Sequence, residues 1–192
     1  MLMALRKMKM IMRRAIGFDY SLNGSIGLEL ENMVVGVIGT GAIGQKVIKN
    51  LSGFGCQILA YDPFEKEEVR KYADYVAMEE IITKSDIITF HVPALEDTYH
   101  LVCRETIEKM KDGVIIINTA RGSIIDTSDL ISALESGKIA ACALDVIENE
   151  LGLYYNDYKY KVIGNHELSI LRDMPNVLSV SYTHLRAHET RG

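Results

Sequence analysis

The chain has 192 residues, of which 48% are apolar, so it can bury one hydrophobic core of ordinary size but not two. Its formal net charge of -5 gives no positive surface for nucleic acid or an anionic membrane, which leaves a small ligand as the expected partner. Three widely spaced cysteines in apolar runs predict reduced thiols and a reducing compartment, the cytoplasm. No apolar run approaches the roughly 20 residues of a membrane span, and no Cys/His cluster indicates a metal site.

The first 16 residues, MLMALRKMKMIMRRAI, are basic and place an apolar residue about once per helical turn. We favour an amphipathic helix packed on a core over a targeting segment, because a methionine stripe is typical of packed faces. The chain begins in mid-helix, without a cap or a preceding turn. We therefore expect the helix at residues 1–16 to be cut at its start.

From Met33 onward, short β-branched runs alternate with helical patterns. This alternation predicts an α/β fold in which helices cover both faces of a doubly wound parallel sheet. The predicted strands are Val34–Ile38, Gln57–Tyr61, 86–90, Val114–Asn118, Ile139–Leu144 and 177–180.

Two helices are predicted between these strands with particular clarity. The first ends at Gly53 or Gly55 and carries one apolar stripe, formed by Ile43, Val47, Ile48 and Leu51. In the second, Leu130 and Leu134 face inward, and Gly137 lies beyond the last turn.

The first strand runs into the motif GTGAIG, within which a helix begins. A GxGxxG run alone is a weak signal, but here a strand precedes it, a helix follows, and Asp62 ends the next strand. Gly39 permits the tight turn, Gly41 lets the backbone approach a pyrophosphate, and Gly44 allows close packing of helix on strand. The N–H groups at the positive end of the helix then face the phosphates. The alternative is a glycine turn that binds nothing, and the context favours a dinucleotide.

Asp62 also predicts which dinucleotide binds. A carboxylate accepts hydrogen bonds from a ribose 2′-hydroxyl but repels a 2′-phosphate, and no arginine follows it directly in DPFEKEE. The sequence therefore predicts NAD rather than NADP.

Polar residues follow three further strands, at the edge where open α/β sheets bind their ligands. His91 follows the third predicted strand, Arg121 the fourth, and Asp145 and Glu150 the fifth. Arg121 presents a planar fork that suits a carboxylate, and Gly122 lets substrate or cofactor come close. Plain alternatives stay open: a buried, hydrogen-bonded histidine, a surface arginine in a salt bridge, and a solvated acidic loop.

Four blocks of the chain carry a resemblance: VVGVIGTGAIGQKVIKNLSGFGCQILAYDP, SDIITFHVPALEDTYHLV, MKDGVIIINTARGSIIDTSDL and LDVIENELGLYY. They resemble the D-isomer-specific 2-hydroxyacid dehydrogenases, most closely the D-lactate dehydrogenase branch. The resemblance implies a Rossmann-type NAD-binding domain inserted in a second, catalytic domain, commonly in a homodimer. It also implies hydride transfer between NAD(H) and a small D-2-hydroxy acid or 2-keto acid, most closely D-lactate or pyruvate.

The resemblance further implies roles for single residues. Arg121 would bind the substrate carboxylate and polarise its carbonyl, and it also counts among the cofactor contacts. Glu150 would pair with the acid/base histidine, and Asp62 would hold the adenosine ribose. The other implied NAD contacts are Gly39, Gly41, Ala42, Ile43 and Gly44 at the pyrophosphate, Val92, Pro93 and Thr98 along the cofactor, and Thr119, Ala120 and Asp145 near the nicotinamide.

The chain departs from this family at both ends. The family builds most of its catalytic domain from residues before the linker helix, and beyond a segment like Met174–Leu178 it continues to a Thr-Pro-His turn. This chain ends instead in SVSYTHLRAHETRG. Its Thr183-His184 pair has no proline between the two residues and lies later in the chain than the Thr-Pro-His turn of the family. We expect residues 1–16 to be the remnant of that linker helix, residues 17–178 to be the NAD-binding domain, residues 179–192 to be a non-native tail, and the catalytic domain to be largely missing. His184 would then not carry the proton, and the chain alone would be inactive.

Two other functions stay open. One is an NAD-sensing module of the same family whose dehydrogenase chemistry is dispensable, although retention of Arg121 and Glu150 favours the enzyme. The other is a dehydrogenase for a bulkier D-2-hydroxy acid, because most of the substrate pocket would lie in the missing domain.

Overall fold

A computed structural model of the protein describes residues 30–148 and 166–179. The predicted linker helix at residues 1–16, Glu150, and residues 180–192 of the predicted tail lie outside the described residues. Across the described part, no helix combines the length and the apolar character that crossing a bilayer requires.

The described residues form one parallel sheet of seven strands in the order β3-β2-β1-β4-β5-β6-β7. The chain moves outward from β1 to β3, then returns to the other side of β1 and moves outward again from β4 to β7. This reversal opens a crevice at the carboxyl ends of β1 and β4, where sheets of this kind bind ligands. The strands are β1 Val34–Ile38, β2 Gln57–Tyr61, β3 Asp74–Tyr75, β4 Ile87–Phe90, β5 Val114–Asn118, β6 Ile139–Leu144 and β7 Val177–Ser179.

Helices connect the strands, as the right-handed crossovers of parallel sheets require. The helix at Thr127–Glu135 is capped by Asp126, whose Oδ1 accepts a hydrogen bond of 3.0 Å from the backbone N–H of Asp129. It is followed by Gly137 at φ +77°, a left-handed conformation that glycine adopts without strain. The helices are α1 Ala42–Leu51, α2 Glu67–Arg70, α3 Met78–Lys84, α4 Arg104–Lys109, α5 Thr127–Glu135 and α6 His166–Asp173.

The sheet divides the core into two layers because successive strand residues point to opposite faces. Within β4, Ile88 and Phe90 belong to one buried cluster, whereas Ile87 belongs to the other. All five residues of β5 are buried, as expected for a central strand covered on both faces. The predicted α/β fold with a doubly wound parallel sheet is confirmed.

Four of the six predicted strands have the predicted bounds, and three details differ. Asp86 precedes β4 instead of starting it, and its carboxylate accepts from the Val34 N–H at 2.8 Å and from Lys111 Nζ at 2.8 Å. The edge strand β3 was not predicted, because two residues are too short to show alternation. Ile43 was wrongly assigned to the buried stripe of α1: it is 56% exposed, whereas Val47, Ile48 and Leu51 are buried.

Candidate active site at the carboxyl edge of the sheet

The glycine loop after β1 is packed so tightly that two of its glycines have no room for a side chain. Gly39 has a φ of +95°, and a Cβ there would lie 2.6 Å from the carbonyl oxygen of His91. A Cβ on Gly44 would lie 1.9 Å from the carbonyl oxygen of Gly39. The loop therefore depends on glycine at both positions to bring α1 against the ends of β1 and β4.

Gly41 differs from the other two glycines of the motif, because a Cβ there would meet no atom of the described residues within 4 Å. It is the N-cap of α1 and caps the helix with no side-chain hydrogen bond. The first N–H groups of an α-helix have no partner inside the helix, and the helix dipole makes this end positive. Tight packing at Gly39 and Gly44 with open space at Gly41 fits a phosphate group, so the loop fits the dinucleotide that the motif predicts.

Asp62 follows β2 and is held directly against the glycine loop. Its Oδ2 accepts hydrogen bonds from the backbone N–H of Thr40 at 2.7 Å and from the Thr40 hydroxyl at 3.1 Å. Its Oδ1 accepts from the backbone N–H of Phe64 at 2.9 Å. The predicted ribose-binding carboxylate therefore lies at the glycine loop, as the motif requires.

The loop after β4 carries Val92, Pro93 and Thr98. A Cβ on Gly39 would approach Val92 Cγ1 to 2.9 Å, so this loop borders the glycine loop. The Thr98 hydroxyl donates to the Pro93 carbonyl at 2.7 Å and accepts from the Leu95 N–H at 2.9 Å. The hydroxyl of Thr98 thus shapes its own loop.

His91 is the half-buried first residue of this loop. Its backbone N–H donates to the Ile38 carbonyl at 2.7 Å, and its Nε2 lies 3.0 Å from the Thr89 hydroxyl. Burial lowers the pKa of His91 to about 4, so the imidazole is neutral at neutral pH. The structure thus shows the hydrogen-bonded histidine that the sequence left as one alternative.

The loop after β5 is shaped by Asn118, which is completely buried. The Asn118 side chain accepts from the Ala120 N–H at 3.0 Å and donates to the Arg121 carbonyl at 2.8 Å. Its backbone carbonyl accepts from the Asp145 N–H at 2.9 Å, which ties the loop to the end of β6. The half-buried Thr119 and Ala120 therefore lead to an exposed Arg121, whose Nη1 donates to the Ala120 carbonyl at 2.7 Å.

The expectation that Gly122 gives room to a ligand is wrong. A Cβ on Gly122 would lie 2.3 Å from the carbonyl carbon and oxygen of Ile147 and 2.5 Å from the backbone nitrogen of Glu148. The space is occupied by the loop after β6. Gly122 therefore lets two loops of the chain pack together.

His100, in the loop after β4, contacts one carboxylate in the loop after β5 and another in the loop after β6. His100 Nε2 lies 2.9 Å from Glu148 Oε1, and His100 Nδ1 lies 3.3 Å from Asp126 Oδ2. The backbone of His100 has a φ of +47°, and its N–H donates to the Ser123 carbonyl at 2.9 Å. The loops after β4, β5 and β6 are therefore held to one another by side chains as well as by backbone.

A comparison with protein families identifies the group to which this site belongs. The model of the D-isomer specific 2-hydroxyacid dehydrogenase, NAD binding domain, matches residues 1–183. The chain belongs to this family. NAD is accordingly its cofactor, as predicted from the motif and Asp62.

Relatives within the D-2-hydroxyacid dehydrogenases differ in the substrates that their names describe. The chain is 45% identical over 174 residues to an aromatic 2-oxoacid reductase of Clostridium sporogenes, which covers 90% of the chain and 53% of the relative. It is 46% identical over 183 residues to a D-specific alpha-keto acid dehydrogenase of Enterococcus faecalis, which covers 95% and 55%. A D-lactate dehydrogenase of Lactiplantibacillus plantarum is 39% identical over 180 residues. The chain spans about half the length of these relatives.

Solved structures of the family have the same fold. The D-lactate dehydrogenase with NAD+ from Lactobacillus jensenii matches with a TM-score of 0.78 at 32% identity, over 93% of this chain and 56% of that one. The pyruvate reductase of Chlamydomonas reinhardtii matches with a TM-score of 0.81 at 38% identity, over 93% and 57%.

Several residues that shape this site were not predicted from the sequence. Thr40 occupies a position of the glycine motif at which the motif specifies no residue. Asn118 and His100 lie within the longer blocks that carry the family resemblance, and no role was predicted for them. The hydrogen-bond partners of these residues are distant in sequence, so no local spacing indicates them. The one available signal was at Asn118, a polar residue at the end of a strand predicted to be buried. Among the described residues, no group of three or more His, Cys, Asp and Glu side chains could hold a metal ion.

We expect Gly44→Ala to lower the free energy of unfolding by more than Gly53→Ala does. The added methyl group meets the Gly39 carbonyl oxygen at Gly44 but meets no atom within 4 Å at Gly53, which makes Gly53→Ala a matched control. A difference of about 1–3 kcal/mol is expected from overpacking of this kind. Urea unfolding of the two variants measures it, and equal unfolding midpoints would show that the loop can relax around a side chain.

We expect His91 to make the protein less stable as the pH falls. Its pKa in the folded state, about 4, lies below its ordinary value of 6.5, so the unfolded chain takes up the proton first. The free energy of unfolding should therefore fall between pH 6.5 and pH 4, by up to about 3 kcal/mol from this residue. Unfolding of the unmodified protein and of His91→Gln at pH 7, 5.5 and 4.5 isolates the effect, and parallel pH profiles would contradict it.

Proposed function

We propose that the chain is the NAD-binding part of an oxidoreductase that interconverts a small D-2-hydroxy acid and its 2-keto acid, with D-lactate and pyruvate as the pair. The observation that carries the proposal is the arrangement of one sheet edge. The open space at Gly41 and the carboxylate of Asp62 lie at the ends of β1 and β2, and the guanidinium of Arg121 lies at the end of β5.

The glycine loop and the start of α1 would bind the pyrophosphate of NAD. The space at Gly41 would receive the phosphates, and the N–H groups of Ala42, Ile43 and Gly44 at the positive end of α1 would donate to them. The exposure of Ile43, which the buried stripe did not predict, agrees with a position facing a ligand.

The other loops of the same edge would hold the two ends of the cofactor. Asp62 would accept a hydrogen bond from the adenosine ribose, as its place against the glycine loop allows. The remaining contacts proposed from the family motifs are Val92, Pro93 and Thr98 along the cofactor, and Thr119, Ala120, Arg121 and Asp145 near the nicotinamide. NAD supplies the hydride acceptor or donor when it is bound.

Arg121 would bind and orient the substrate. Its Nη1 donates to the Ala120 carbonyl, and a guanidinium has five N–H donors in a planar fork, so further donors remain for a carboxylate. Asn118 holds the backbone on either side of the arginine, which gives the guanidinium a fixed base. The positive charge would also stabilise negative charge that develops on the substrate oxygen.

Glu150 would complete the site by pairing with an acid/base histidine, and we propose that His184 is not that histidine. Both residues lie outside the described part of the chain. Glu150 follows two residues after Glu148, which His100 holds at 2.9 Å.

The substrate could also carry a bulkier side chain, and the aromatic 2-oxoacid reductase among the relatives supports this alternative. Assembly and location follow the family resemblance: we propose a homodimer in the cytoplasm whose catalytic domain comes largely from residues other than 17–178. Ser179 pairs with Leu144 in β7 and the family match extends to residue 183, so the non-native tail would begin after residue 183. These statements rest on the resemblance and on the length of the relatives.

We expect the 192-residue chain to bind NADH more tightly than NADPH, because the Asp62 carboxylate repels a 2′-phosphate. Asp62→Asn removes the charge and keeps an oxygen that accepts hydrogen bonds, so the preference should narrow by about tenfold or more. Fluorescence titration with both nucleotides measures the ratio of the two dissociation constants. Equal affinities in the unmodified chain would refute the role of Asp62.

We expect residues 1–192 alone not to reduce pyruvate. We expect activity when the segments of the Lactiplantibacillus plantarum D-lactate dehydrogenase that have no counterpart in residues 1–192 are added. In that chimera, Arg121→Ala should lower kcat/KM for pyruvate by about 10²–10³. Arg104→Ala is the matched control, because Arg104 is exposed and pairs with Asp129 at 3.6 Å. In the chimera without substitutions, a higher kcat/KM for pyruvate than for phenylpyruvate would favour the small substrate, and the reverse order would favour the bulky one. An active Arg121→Ala chimera would contradict the proposal.

A further inference from the structure

A chain of hydrogen bonds connects Asp62 to a tyrosine on the edge strand β3. The Thr40 hydroxyl, which bonds to Asp62 Oδ2, also lies 2.8 Å from the hydroxyl of Tyr75. The Tyr75 hydroxyl in turn accepts from the backbone N–H of Lys66 at 3.1 Å. The glycine loop, the loop after β2 and the end of β3 therefore meet at one phenol oxygen.

The chemistry of the two ends fixes the direction of every bond in this chain. A carboxylate only accepts and a backbone N–H only donates. The single proton of the Thr40 hydroxyl must therefore go to Asp62, and Thr40 must accept from Tyr75. Tyr75 gives its proton to Thr40 and accepts from Lys66, so each hydroxyl donates once and accepts once.

The chain of bonds determines which carboxylate oxygen of Asp62 can take another donor. Oδ2 already accepts from the N–H and the hydroxyl of Thr40, whereas the one donor to Oδ1 among the described residues is the Phe64 N–H. Each carboxylate oxygen has about two acceptor sites. Oδ2 is therefore saturated, and one acceptor site remains on Oδ1.

Tyr75 is suited to hold this arrangement because it is itself held. Its ring packs against the buried cluster on one face of the sheet, and the guanidinium of Arg70 lies 5.3 Å from the ring centroid. Thr40 is 0% exposed. The phenol oxygen is thus fixed by packing on β3, and Thr40 transmits its position to Asp62.

We propose that Tyr75 is a positioning residue for cofactor selection: through Thr40 it holds Asp62 so that Oδ1 faces the adenosine ribose of NAD. The inference rests on the proposed role of Asp62. Tyr75 does not touch the cofactor in this arrangement, and its effect passes entirely through the Thr40 hydroxyl.

The test compares Tyr75→Phe, Thr40→Val, their double variant and Asp62→Asn in the full 192-residue chain, by titration with NADH and with NADPH. Tyr72→Phe is the matched control: Tyr72 is 42% exposed, and its hydroxyl has no hydrogen bond to the described residues. Tyr75→Phe should weaken NADH binding by about five- to tenfold and NADPH binding by less, since one hydrogen bond is lost. The control should leave both affinities unchanged.

The double variant separates positioning from a general structural role. If Tyr75 acts through Thr40, adding Tyr75→Phe to Thr40→Val should not change the NADH-to-NADPH ratio further. Additive effects on that ratio, an unchanged ratio in Tyr75→Phe, or an equal loss for both nucleotides would overturn the inference. If Tyr75→Phe does not fold in a circular dichroism melt, Thr40→Val decides in the same way. If Asp62→Asn also leaves the ratio unchanged, it is the role of Asp62 in the proposed function that fails.

Discussion

The contact between the glycine loop and the loop after β4 is the constraint on which the rest of the site depends. A Cβ on Gly39 would lie 2.6 Å from the His91 carbonyl oxygen, and a Cβ on Gly44 would lie 1.9 Å from the Gly39 carbonyl oxygen. This contact closes the gap between β1 and β4, the two strands beside which the chain reverses its direction across the sheet. The start of α1, the carboxylate of Asp62 and the loop after β4 are consequently brought to one crevice.

A second set of contacts joins the loops that follow β4, β5 and β6. Asn118 bonds both to its own loop and to Asp145, and Gly122 packs on the backbone of Ile147. His100 adds two carboxylate partners. Buried and half-buried hydrogen bonds of this kind give a rigid base to an exposed arginine, whose own side chain makes little contact with the fold.

The sequence predicted the strands and the glycine motif because their signals are local. β1, β2, β5 and β6 are short, largely apolar runs, and the motif has a strand before it and a helix after it. The hydrogen-bond partners could not be predicted, because Thr40 and Tyr75, or His100 and Glu148, are brought together only by strand order. Ile43 was misassigned because helical periodicity does not show how far along a helix the apolar stripe is covered by the rest of the fold.

The three glycines of the loop are required for different reasons. Selection for the fold acts on two of them and selection for a bound ligand on the third, so they could change independently during evolution. Gly39 and Gly44 are required by the fold itself, whether or not a nucleotide is present. A Cβ on Gly41 would meet no atom of the described residues within 4 Å, so within that part of the chain the fold does not oppose a larger side chain there and a bound ligand would. A descendant that kept the fold but gave up nucleotide binding would retain the first and third glycines and be free to replace the second. The residue at that one position would record the loss.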